Sequence, residues 1–530
     1  MCGIAGIIGG DASETVLAAM LRAIAHRGDP DRQAEIAVQD GIAIGTNRLA
    51  IVDPAHGRQP FAACGGDVLC VCNGEIYNAD ALREELSDRF DFATRCDTEV
   101  VLAAWLAWRE DLVHHLRGMY AFAIADRRTS TWVLARDPLG IKPLYVGDRD
   151  GTSYFASELK ALAALGLAGY RTVDPGSVWI DGVRARVASL PVLGREGGVP
   201  VARIPAIVRR ALQDAVRSHL PGRRERLACL LSGGIDSSTV LALASELHDG
   251  PLEAWTFSTG RDDSEDLRAA RLVTAHLGVP LHVVQPTEAE LTELYLRSGV
   301  AMTETWEPAL VRNAVSYHFL CRAVRAAGHR LALSGEGADE VFGGYDYLRP
   351  LAADEREVAI RESLVDLHRT YLQMADRAAM FATLEVRVPF VDADTVRRCV
   401  ALPPSARRCG DVDKWGLRQA ATHALPAVIR ARAKLGMNAG AGFGSNDPGE
   451  GIYFRAVGRH YEETPQARRR DERTTAPLVA AFGVDPSDRE QLFCFARFVE
   501  HGYHRLEGAQ RRPRLNVSPT ANVRMLEVGS

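Results

Sequence analysis

The stretch of this chain that most restricts its fold is Leu230-Leu231-Ser232-Gly233-Gly234-Ile235-Asp236-Ser237-Ser238. The apolar run over residues 227–231 predicts a buried strand, and the residues from Ser237 onward predict a helix. A tight turn followed by a helix N-terminus leaves backbone N–H groups unpaired, and these groups favour phosphate oxygens. The stretch therefore predicts a nucleotide-binding turn. An ordinary glycine-rich turn is the alternative interpretation.

Asp236 favours the nucleotide interpretation. A carboxylate repels phosphate, so an acid at this position makes sense if a divalent cation lies between the two anions. The turn contains no Lys, and it therefore differs from the Walker loop, which ends in Gly-Lys-Ser or Gly-Lys-Thr.

After this turn the chain alternates between strands and helices. Strands are predicted at 254–258, 281–284 and 330–333, and a helix at 265–277. Such alternation predicts a doubly wound parallel sheet with ligands at the carboxyl ends of its strands. A second glycine-rich, acidic stretch, residues 334–345, follows the last of these strands. Asp236 and Asp339 could then share one Mg²⁺.

Length and charge limit the remaining possibilities. A chain of 530 residues exceeds a single core, so two domains are expected. The net charge of −5 argues against a nucleic-acid partner. No apolar run reaches the ~18 residues of a membrane span, and the N-terminus lacks a basic-then-apolar signal. We expect a cytoplasmic protein whose ten cysteines are free thiols.

Lysine is rare in this chain. Among 63 basic residues only Lys142, Lys160, Lys414 and Lys434 are lysines. A lysine can give up its proton, whereas an arginine in a protein cannot. Each lysine is therefore a functional candidate, with a plain surface position as the alternative.

The N-terminus offers a nucleophile. Removal of Met1 would make Cys2 the first residue, and its own α-amino group, with a pKa of about 8, could accept the thiol proton. Asn73-Gly74 offers an amide donor beside a backbone N–H, the parts of an oxyanion hole. Arg48 heads a strand, and Asp97 could hold an amino group. Taken singly, each feature has a plain interpretation: a buried thiol for Cys2, a hairpin turn for Asn73-Gly74.

Together these stretches resemble the glutaminase domain of the class II glutamine amidotransferases, over about residues 2–170. The resemblance implies an N-terminal-nucleophile fold, α+β, with two stacked antiparallel sheets between helices. It implies that Cys2 attacks the glutamine amide, that Asn73 and Gly74 stabilise the oxyanion, and that Arg48 holds the α-carboxylate. The residues it implies for glutamine binding, with Glu75 and Asp97 on the α-amino group, are Arg48, Leu49, Ala50, Ile51, Val52, Asn73, Gly74, Glu75 and Asp97. The family order Gly-Pro-Asp is swapped at Gly28-Asp29-Pro30, so no role is assigned to Asp29.

Residues 205–440 resemble the synthetase domain of the asparagine synthetases, an ATP-pyrophosphatase, in both loops and in residues 384–392 and 432–436. The resemblance implies that Glu336 acts near the ammonia and that Lys434 steadies the adenylate and the leaving pyrophosphate. The implied metal ligands are Asp236 and Asp339. The implied ATP-binding residues are Leu231, Ser232, Gly233, Gly234, Asp236, Ser237, Ser238, Thr259, Ser334 and Gly335.

The two resemblances imply a carbon–nitrogen ligase that uses ATP and Mg²⁺. Residues 2–185 would form the glutaminase domain, 203–505 the synthetase domain and 506–530 a mobile tail. Ammonia released from glutamine would pass internally to an acyl-adenylate, with AMP and pyrophosphate as further products; a homodimer is one possible assembly. The acceptor would be aspartate or an acid of a specialised, for example antibiotic, pathway. The other hypotheses are asparagine synthetase proper, a tRNA-modifying ATP-pyrophosphatase and a non-catalytic amidotransferase-like protein.

The stretch expected to form the acceptor pocket departs most from the asparagine synthetases. Trp306-Glu307 replaces Tyr/Phe-Asp, and Ala314-Val315-Ser316 replaces Ser-Thr-Pro. Residues 437–445 are glycine-rich and closer to the β-lactam synthetases, which however lack the nucleophilic Cys and carry Tyr in place of Glu336. Loss of hydrogen-bonding groups lowers discrimination for a small polar substrate. We therefore expect aspartate to be a poor acceptor, unless these residues lie behind the pocket.

Overall fold

The computed structural model describes residues 2–10, 12–187, 198–222, 224–259, 264–442 and 451–510. The chain forms two compact units. The N-terminal unit comprises the described parts of residues 1–189, 380–385 and 497–511, and the second unit comprises the described residues of 190–379 and 386–496. The boundaries predicted at 185 and 203 stand on either side of residues 188–197, which lie outside the described ranges. Among the described helices, none is long and apolar enough to cross a membrane.

The predicted tail, residues 506–530, is described only as far as residue 510. Within that part, Leu506 forms a parallel bridge with Tyr170. The Glu507 amide donates to the Tyr170 carbonyl at 2.9 Å. The first residues of the tail are therefore hydrogen-bonded to the N-terminal unit, and the rest of that prediction concerns residues outside the described ranges.

The described part of the N-terminal unit is built mainly from strands. Its elements are β1 (Cys2–Ile8), α1 (Glu14–Ala23), β2 (Glu35–Gln39), β3 (Ile42–Arg48), β4 (Phe61–Ala63), β5 (Val68–Ile76), α2 (Ala79–Leu86), α3 (Val100–Trp108), β6 (Gly118–Asp126), β7 (Thr131–Arg136), β8 (Tyr145–Arg149), β9 (Thr152–Ala156), α4 (Leu159–Ala163), β10 (Arg171–Thr172), β11 (Ser177–Ile180) and β12 (Val183–Val187).

These strands form two six-stranded sheets, ordered β10-β8-β9-β1-β3-β2 and β12-β11-β7-β6-β5-β4. All neighbouring strands in both sheets are antiparallel.

Alternating residues of β5 explain why the two sheets stack. Leu69 and Val71 pack in a core that also holds Ile4 and Ile44 of the first sheet, whereas Cys70 packs with helix α3 on the other face. Because successive side chains of a strand point to opposite faces, β5 is buried on both sides. The predicted fold of two antiparallel sheets between helices is confirmed.

The second unit alternates helices and strands. Its elements are α5 (Ile204–His219), β13 (Leu227–Leu230), α6 (Ile235–Leu247), β14 (Leu252–Phe257), α7 (Glu265–Leu277), β15 (Leu281–Val284), α8 (Glu288–Thr303), α9 (Pro308–Ala326), β16 (Leu331–Leu333), α10 (Ala338–Phe342), α11 (Ala353–Asp366), α12 (Tyr371–Phe381), β17 (Glu385–Arg387), α13 (Ala393–Val400), β18 (Arg408–Cys409), β19 (Val412–Asp413), α14 (Trp415–Ala420), α15 (Ala427–Ala431), α16 (Met437–Gly440), α17 (Gly451–Glu463), α18 (Pro465–Thr475), α19 (Val479–Phe482) and α20 (Arg489–Glu500). Elements α12, β17 and α20 have residues in both units.

A five-stranded sheet, ordered β15-β14-β13-β16-β17, forms the centre of this unit. Strand β13 pairs in parallel with β14 on one side and with β16 on the other, and β14 pairs in parallel with β15. The strand order therefore reverses between β13 and β16, and ligands bind such sheets at the carboxyl ends of the strands beside this reversal. The doubly wound fold is confirmed. Helix α6 begins two residues earlier than predicted, because extended Gly234 is its N-cap.

Candidate active site

Cys2 begins β1 and is buried. Its backbone nitrogen, which becomes the α-amino group if Met1 is removed, donates to Asn73 Oδ1 at 2.9 Å. Arg48 of β3 lies opposite Cys2 in the sheet. Burial raises the pKa of the Cys2 thiol, although Arg48 opposes this rise. The thiol is therefore neutral at rest and needs a base to become a nucleophile.

Asn73 and Gly74 of β5 lie beside the nucleophile. The Asn73 side chain is fully buried, and its Nδ2 donor has no hydrogen-bond partner among the described residues. A buried donor without a partner is costly, so its position next to Cys2 favours a ligand oxygen. A Cβ at Gly74 would lie 2.1 Å from the Met119 carbonyl oxygen, so only glycine allows this approach of β5 to β6. The pair can form an oxyanion hole.

The prediction that Arg48 heads a strand is wrong: Arg48 is the last residue of β3, and its guanidinium points into the loop that follows. Its Nη2 donates to the carbonyl oxygens of Val52 and Asp53, each at 2.9 Å. A Cβ at Gly57 would lie 2.6 Å from Arg48 Nη2 and 2.8 Å from Cys96 Cβ, so the turn of Cys96 and Asp97 lies beside Arg48. The predicted glutamine-binding residues thus lie on three neighbouring segments: Arg48 with Leu49, Ala50, Ile51 and Val52 after β3, Asn73, Gly74 and Glu75 in β5, and Asp97 in the turn before α3.

Asp29 has a place in this region that the sequence did not suggest. The Ala50 amide donates to Asp29 Oδ2 at 3.1 Å, and the Asp29 amide donates to the Arg48 carbonyl at 2.9 Å. Asp29 therefore fixes the start of the loop after β3. The swapped order of Asp29 and Pro30 could have drawn attention to this position. Its partner Ala50, however, lies 21 residues away, and no local pattern identifies this contact.

Arg27 and Glu158 support the start of β1. Arg27 Nε donates to the Cys2 carbonyl at 3.1 Å, and Arg27 Nη1 donates to Glu158 Oε1 at 2.6 Å. His26 Nε2 lies 3.0 Å from Glu158 Oε2, and Lys160 pairs with the same carboxylate. These side chains hold the backbone of the nucleophile. Lys160, one of the four lysines, has this ion pair rather than a contact with a reacting group.

In the second unit, the Ser232–Ser238 stretch forms a tight turn between β13 and α6. Gly233 has φ +73°, and a Cβ there would lie 2.5 Å from the Ala270 amide nitrogen of α7. Ser232 and Ser237 face each other, with their hydroxyl oxygens 3.1 Å apart. Asp236 lies in the first turn of α6. The positive end of the α6 dipole therefore faces the turn and favours an anion.

Lys414 bridges the two acids that were predicted to hold a metal ion. Its Nζ lies 2.7 Å from both Asp236 carboxylate oxygens and 2.6 Å from Asp339 Oδ1. Lys434 pairs with the other Asp339 oxygen. A Cβ at Gly344 would lie 1.8 Å from Lys414 Cε, so any larger residue there would displace the Lys414 side chain. The rarity of lysine had singled out Lys414, but its partners are remote in sequence.

These acids fit a magnesium ion. Two carboxylates that reach one ammonium can reach one cation, and Mg²⁺ in proteins is held by one or two carboxylates, with substrate phosphates and water completing its shell. No cluster of three or more metal-binding His, Cys, Asp or Glu side chains occurs among the residues that the structure describes. Asp236 and Asp339 could hold Mg²⁺ together with phosphate oxygens of a ligand and water.

A cavity opens at the carboxyl ends of β13, β14 and β16. The predicted residues that line it are Leu231, Ser232, Asp236, Ser237, Ser334, Gly335, Glu336, Asp339 and Lys434. Gly234 lines a smaller adjoining cavity, together with Lys414, whereas Gly233, Ser238 and Thr259 line neither.

Two buried hydroxyls in the larger cavity were not predicted from the sequence. Thr256 Oγ1 and the Tyr317 hydroxyl are buried, and neither makes a hydrogen bond of good geometry within the described part of the chain. Both residues line the cavity. They offer polar contacts to a ligand in the cavity, which apolar side chains such as Leu230 and Phe257 also line.

Charge and burial compete at Glu336 and Lys434. Burial raises the pKa of Glu336 to about 7, with Lys434 opposing and Asp339 adding to the rise. Burial alone would lower the pKa of Lys434, but Asp339 and Asp236 outweigh it, so this pKa is raised. Near neutral pH, Glu336 can gain or lose a proton, whereas Lys434 stays cationic.

The substituted residues 306, 307 and 314–316 are not among those lining the cavity in the described structure, whereas Met437 and Ala441 of the glycine-rich stretch do line it. Trp306 is buried against Phe482 and Phe495, with ring centroids 6.2 and 5.5 Å apart. The Ser316 hydroxyl lies 3.5 Å from the Tyr453 hydroxyl. Trp306 and Ser316 therefore contact side chains of α17, α19 and α20, and the structure gives no support at these positions to the prediction that aspartate is a poor acceptor.

Comparisons with known proteins assign a family model to each part of the chain. Residues 1–175 match the family model for a glutamine amidotransferase domain, and residues 207–366 and 355–467 match that for asparagine synthase. Asparagine synthetase B (glutamine-hydrolysing) of Escherichia coli (strain K12) is 33% identical over 493 residues, which cover 88% of this chain and 87% of that protein. The nodule asparagine synthetase of Pisum sativum is 31% identical over 469 residues, covering 84% of this chain and 79% of the relative. Asparagine synthetase 3 of Arabidopsis thaliana is 32% identical over 469 residues, with the same coverage.

Both halves of the chain match the corresponding family models, and the Escherichia coli relative aligns over most of both proteins. On these grounds the chain belongs to the family of glutamine-hydrolysing asparagine synthetases.

Proposed function

We propose that this protein is a ligase that takes nitrogen from glutamine and uses ATP to convert a carboxylate into an amide. One observation carries the proposal: the chain keeps both sets of groups, an N-terminal cysteine beside the unpaired Asn73 donor and a phosphate turn with Asp236, Asp339 and Lys434 around one cavity. A non-catalytic relative would be expected to have lost Cys2 or Asp236. Family membership and the net charge disfavour a tRNA-modifying enzyme.

In the N-terminal unit, Cys2 is the proposed nucleophile. Its own α-amino group, freed by removal of Met1, takes the thiol proton, and the sulfur adds to the carbon of the glutamine amide. Asn73 Nδ2 and the Gly74 amide donate to the oxygen that becomes negative. Ammonia leaves with the proton returned by the amine, and water releases glutamate from the thioester. Arg48 and Asp97 hold the two charged groups of the substrate backbone.

In the second unit, the acceptor carboxylate attacks the α-phosphorus of ATP. Oxide is too poor a leaving group for direct attack by ammonia, and adenylation replaces it with AMP. Lys434 lies where it can offset the negative charge that grows on pyrophosphate. When bound, Mg²⁺ would neutralise phosphate charge, held by Asp236 and Asp339. Ammonia then adds to the acyl carbon, Glu336 takes a proton from the new nitrogen, and AMP leaves.

The proposed acceptor is aspartate. The relatives reported above are named as asparagine synthetases, and the altered residues 306, 307 and 314–316 are not among those that line the cavity in the described structure. The competing acceptor is a larger or less polar acid, for which those substitutions were the argument.

A panel of acids tests the proposal. Purified protein is incubated with glutamine, ATP and Mg²⁺, and with aspartate, glutamate or a larger amino acid, and AMP, pyrophosphate and glutamate are measured. Aspartate should support AMP release at a rate near ~10 per second, a typical turnover. Release of AMP only with a larger acid would reassign the acceptor. Absence of AMP with every acid would overturn the proposed reaction.

A further inference from the structure

Asp266 lies at the start of α7, outside every segment that the resemblance singled out. It is 166 residues from Arg432, yet its Oδ1 accepts a hydrogen bond from Arg432 Nη2 at 2.6 Å, and both side chains are largely buried. Arg432 Nη1 also donates to the Ser232 carbonyl at 3.3 Å. The Arg432 guanidinium therefore joins α7 to the phosphate turn. Arg432 lies two residues before Lys434 in the sequence.

The Asp266 carboxylate also lies against the backbone at Gly440. A Cβ at position 440 would lie 2.4 Å from each Asp266 carboxylate oxygen, so any larger residue there would displace the Asp266 carboxylate. The neighbouring Ala441 carbonyl accepts from the Thr259 amide at 3.2 Å. The segment 432–441 is thus held against Asp266 near both of its ends.

Lys434 lies within this segment. Its ammonium pairs with Asp339, not with Asp266, but Asp266 and Lys434 line both cavities described above. A lysine stem has only four carbons, so the positions that its ammonium can reach depend on where the backbone is held. A displacement of about 1 Å at a group that acts on the transition state can cost on the order of 10²-fold in rate.

We propose that Asp266 is a positioning residue for adenylation: through Arg432 and Gly440 it holds the segment 432–441, and with it Lys434, against the phosphate turn. This inference rests on the proposed function and names a residue that no part of the mechanism uses. Asp266 touches no reacting group in this account, and its effect reaches the reaction through Lys434.

A double-mutant cycle tests the coupling. Asp266→Asn, Arg432→Gln and the double variant are assayed for AMP release with ammonium salts, so that the glutaminase step is bypassed. Each single variant should lower kcat/KM for ATP on the order of 10²-fold, mainly through kcat, because the contact matters in the transition state. The double variant should be no worse than the worse single variant, because both changes remove the same link.

Two controls separate positioning from general damage. Glu265→Gln changes the exposed acid next to Asp266 on the same helix and should leave the rates unchanged. Glutaminase activity and the melting temperature of the variants report whether the chain is folded. If Asp266→Asn does not fold, Arg432→Lys carries the test: it keeps the charge but cannot contact Asp266 and Ser232 together, and it should show the same loss in kcat.

Unchanged kcat/KM in Asp266→Asn, or in Arg432→Lys where Asp266→Asn does not fold, would overturn the inference. So would a loss of kcat/KM in the double variant that equals the product of the two single losses. A loss of activity that follows the amount of unfolded protein would also overturn it. Failure of the proposed function looks different, since the unaltered protein would then release no AMP with any acid.

Discussion

Glu336 is the residue whose ionisation should govern the amide-forming step. Its carboxyl is buried, and burial raises its pKa to about 7 while Lys434 opposes the rise. A base must be ionised to accept a proton, so activity that depends on Glu336 is present above this pKa and lost as the pH falls through it.

This gives a prediction for the pH profile. The rate of amide formation at a fixed concentration of unprotonated ammonia should fall below about pH 7, the pKa given for Glu336. Glu336→Gln should remove the inflection and lower the rate by about 10²–10⁴-fold, the usual contribution of a general base. Rates of amide production measured across this range test it. An unchanged inflection in the variant would assign the titration to another group.

A second prediction concerns Cys2, because the nucleophile and the phosphate turn lie in separate compact units. Cys2→Ala should abolish glutamine-dependent synthesis and leave synthesis from ammonium salts intact. Glutamate release and AMP release, measured side by side, report the two activities. Cys64→Ala, which changes an exposed thiol, is the matched control. Loss of both activities in a folded Cys2→Ala variant would contradict the division of labour.

A third prediction concerns the two acids around Lys414. Asp236→Asn or Asp339→Asn should stop pyrophosphate release, because one carboxylate fewer weakens the hold on Mg²⁺ and leaves the buried Lys414 with one anionic partner. The glutaminase reaction should persist. Asp354→Asn, at an exposed acid of α11, should behave like the unaltered protein. Normal pyrophosphate release by either site variant would remove these acids from the metal site.

The stability of the phosphate turn depends on how closely the turn packs on helix α7. Gly233 has a left-handed backbone, and a Cβ there would lie 2.5 Å from the Ala270 amide nitrogen, whereas a Cβ at Gly234 would meet only the Ser232 hydroxyl at 3.3 Å. Two adjacent glycines therefore have different tolerances.

Substitution of these glycines gives a fourth prediction. Gly233→Ala should destabilise the protein by about 2 kcal/mol or more, because it adds left-handed strain to a backbone clash. Gly234→Ala should cost less than about 1 kcal/mol, since its backbone is extended. Chemical denaturation, followed together with AMP release, separates the two variants. Equal stabilities would show that α7 moves aside without cost.

The elements around the site follow from local pattern to different degrees. Helix 265–277 and strand 281–284 occur at the predicted residues, because capping by Ser264 and an apolar run are local signals. The bridge from Lys414 to Asp236 joins residues 178 positions apart, and the contact of Asp29 with Ala50 joins two loops. Such contacts depend on how the sheets pack, which periodicity does not encode.

The folds of both units and most of the residues that line the cavity could be predicted from the sequence. The reason is that the functional residues of a glycine-rich turn at a strand end are close together in the sequence. The acceptor prediction had no such basis. The resemblance to the asparagine synthetases suggested that Trp306 and Ser316 lie near a pocket, whereas the structure packs them against Phe482, Phe495 and Tyr453.

We propose that this one chain transfers the amide nitrogen of glutamine to aspartate and cleaves ATP in doing so. The most direct test is incubation of the protein with amide-¹⁵N glutamine, ATP, Mg²⁺ and aspartate, followed by mass spectrometry of the products. The expected products of the proposed reaction are ¹⁵N-labelled asparagine, glutamate, AMP and pyrophosphate in equal amounts. Glutamate without labelled asparagine, or asparagine formed without AMP, would contradict it.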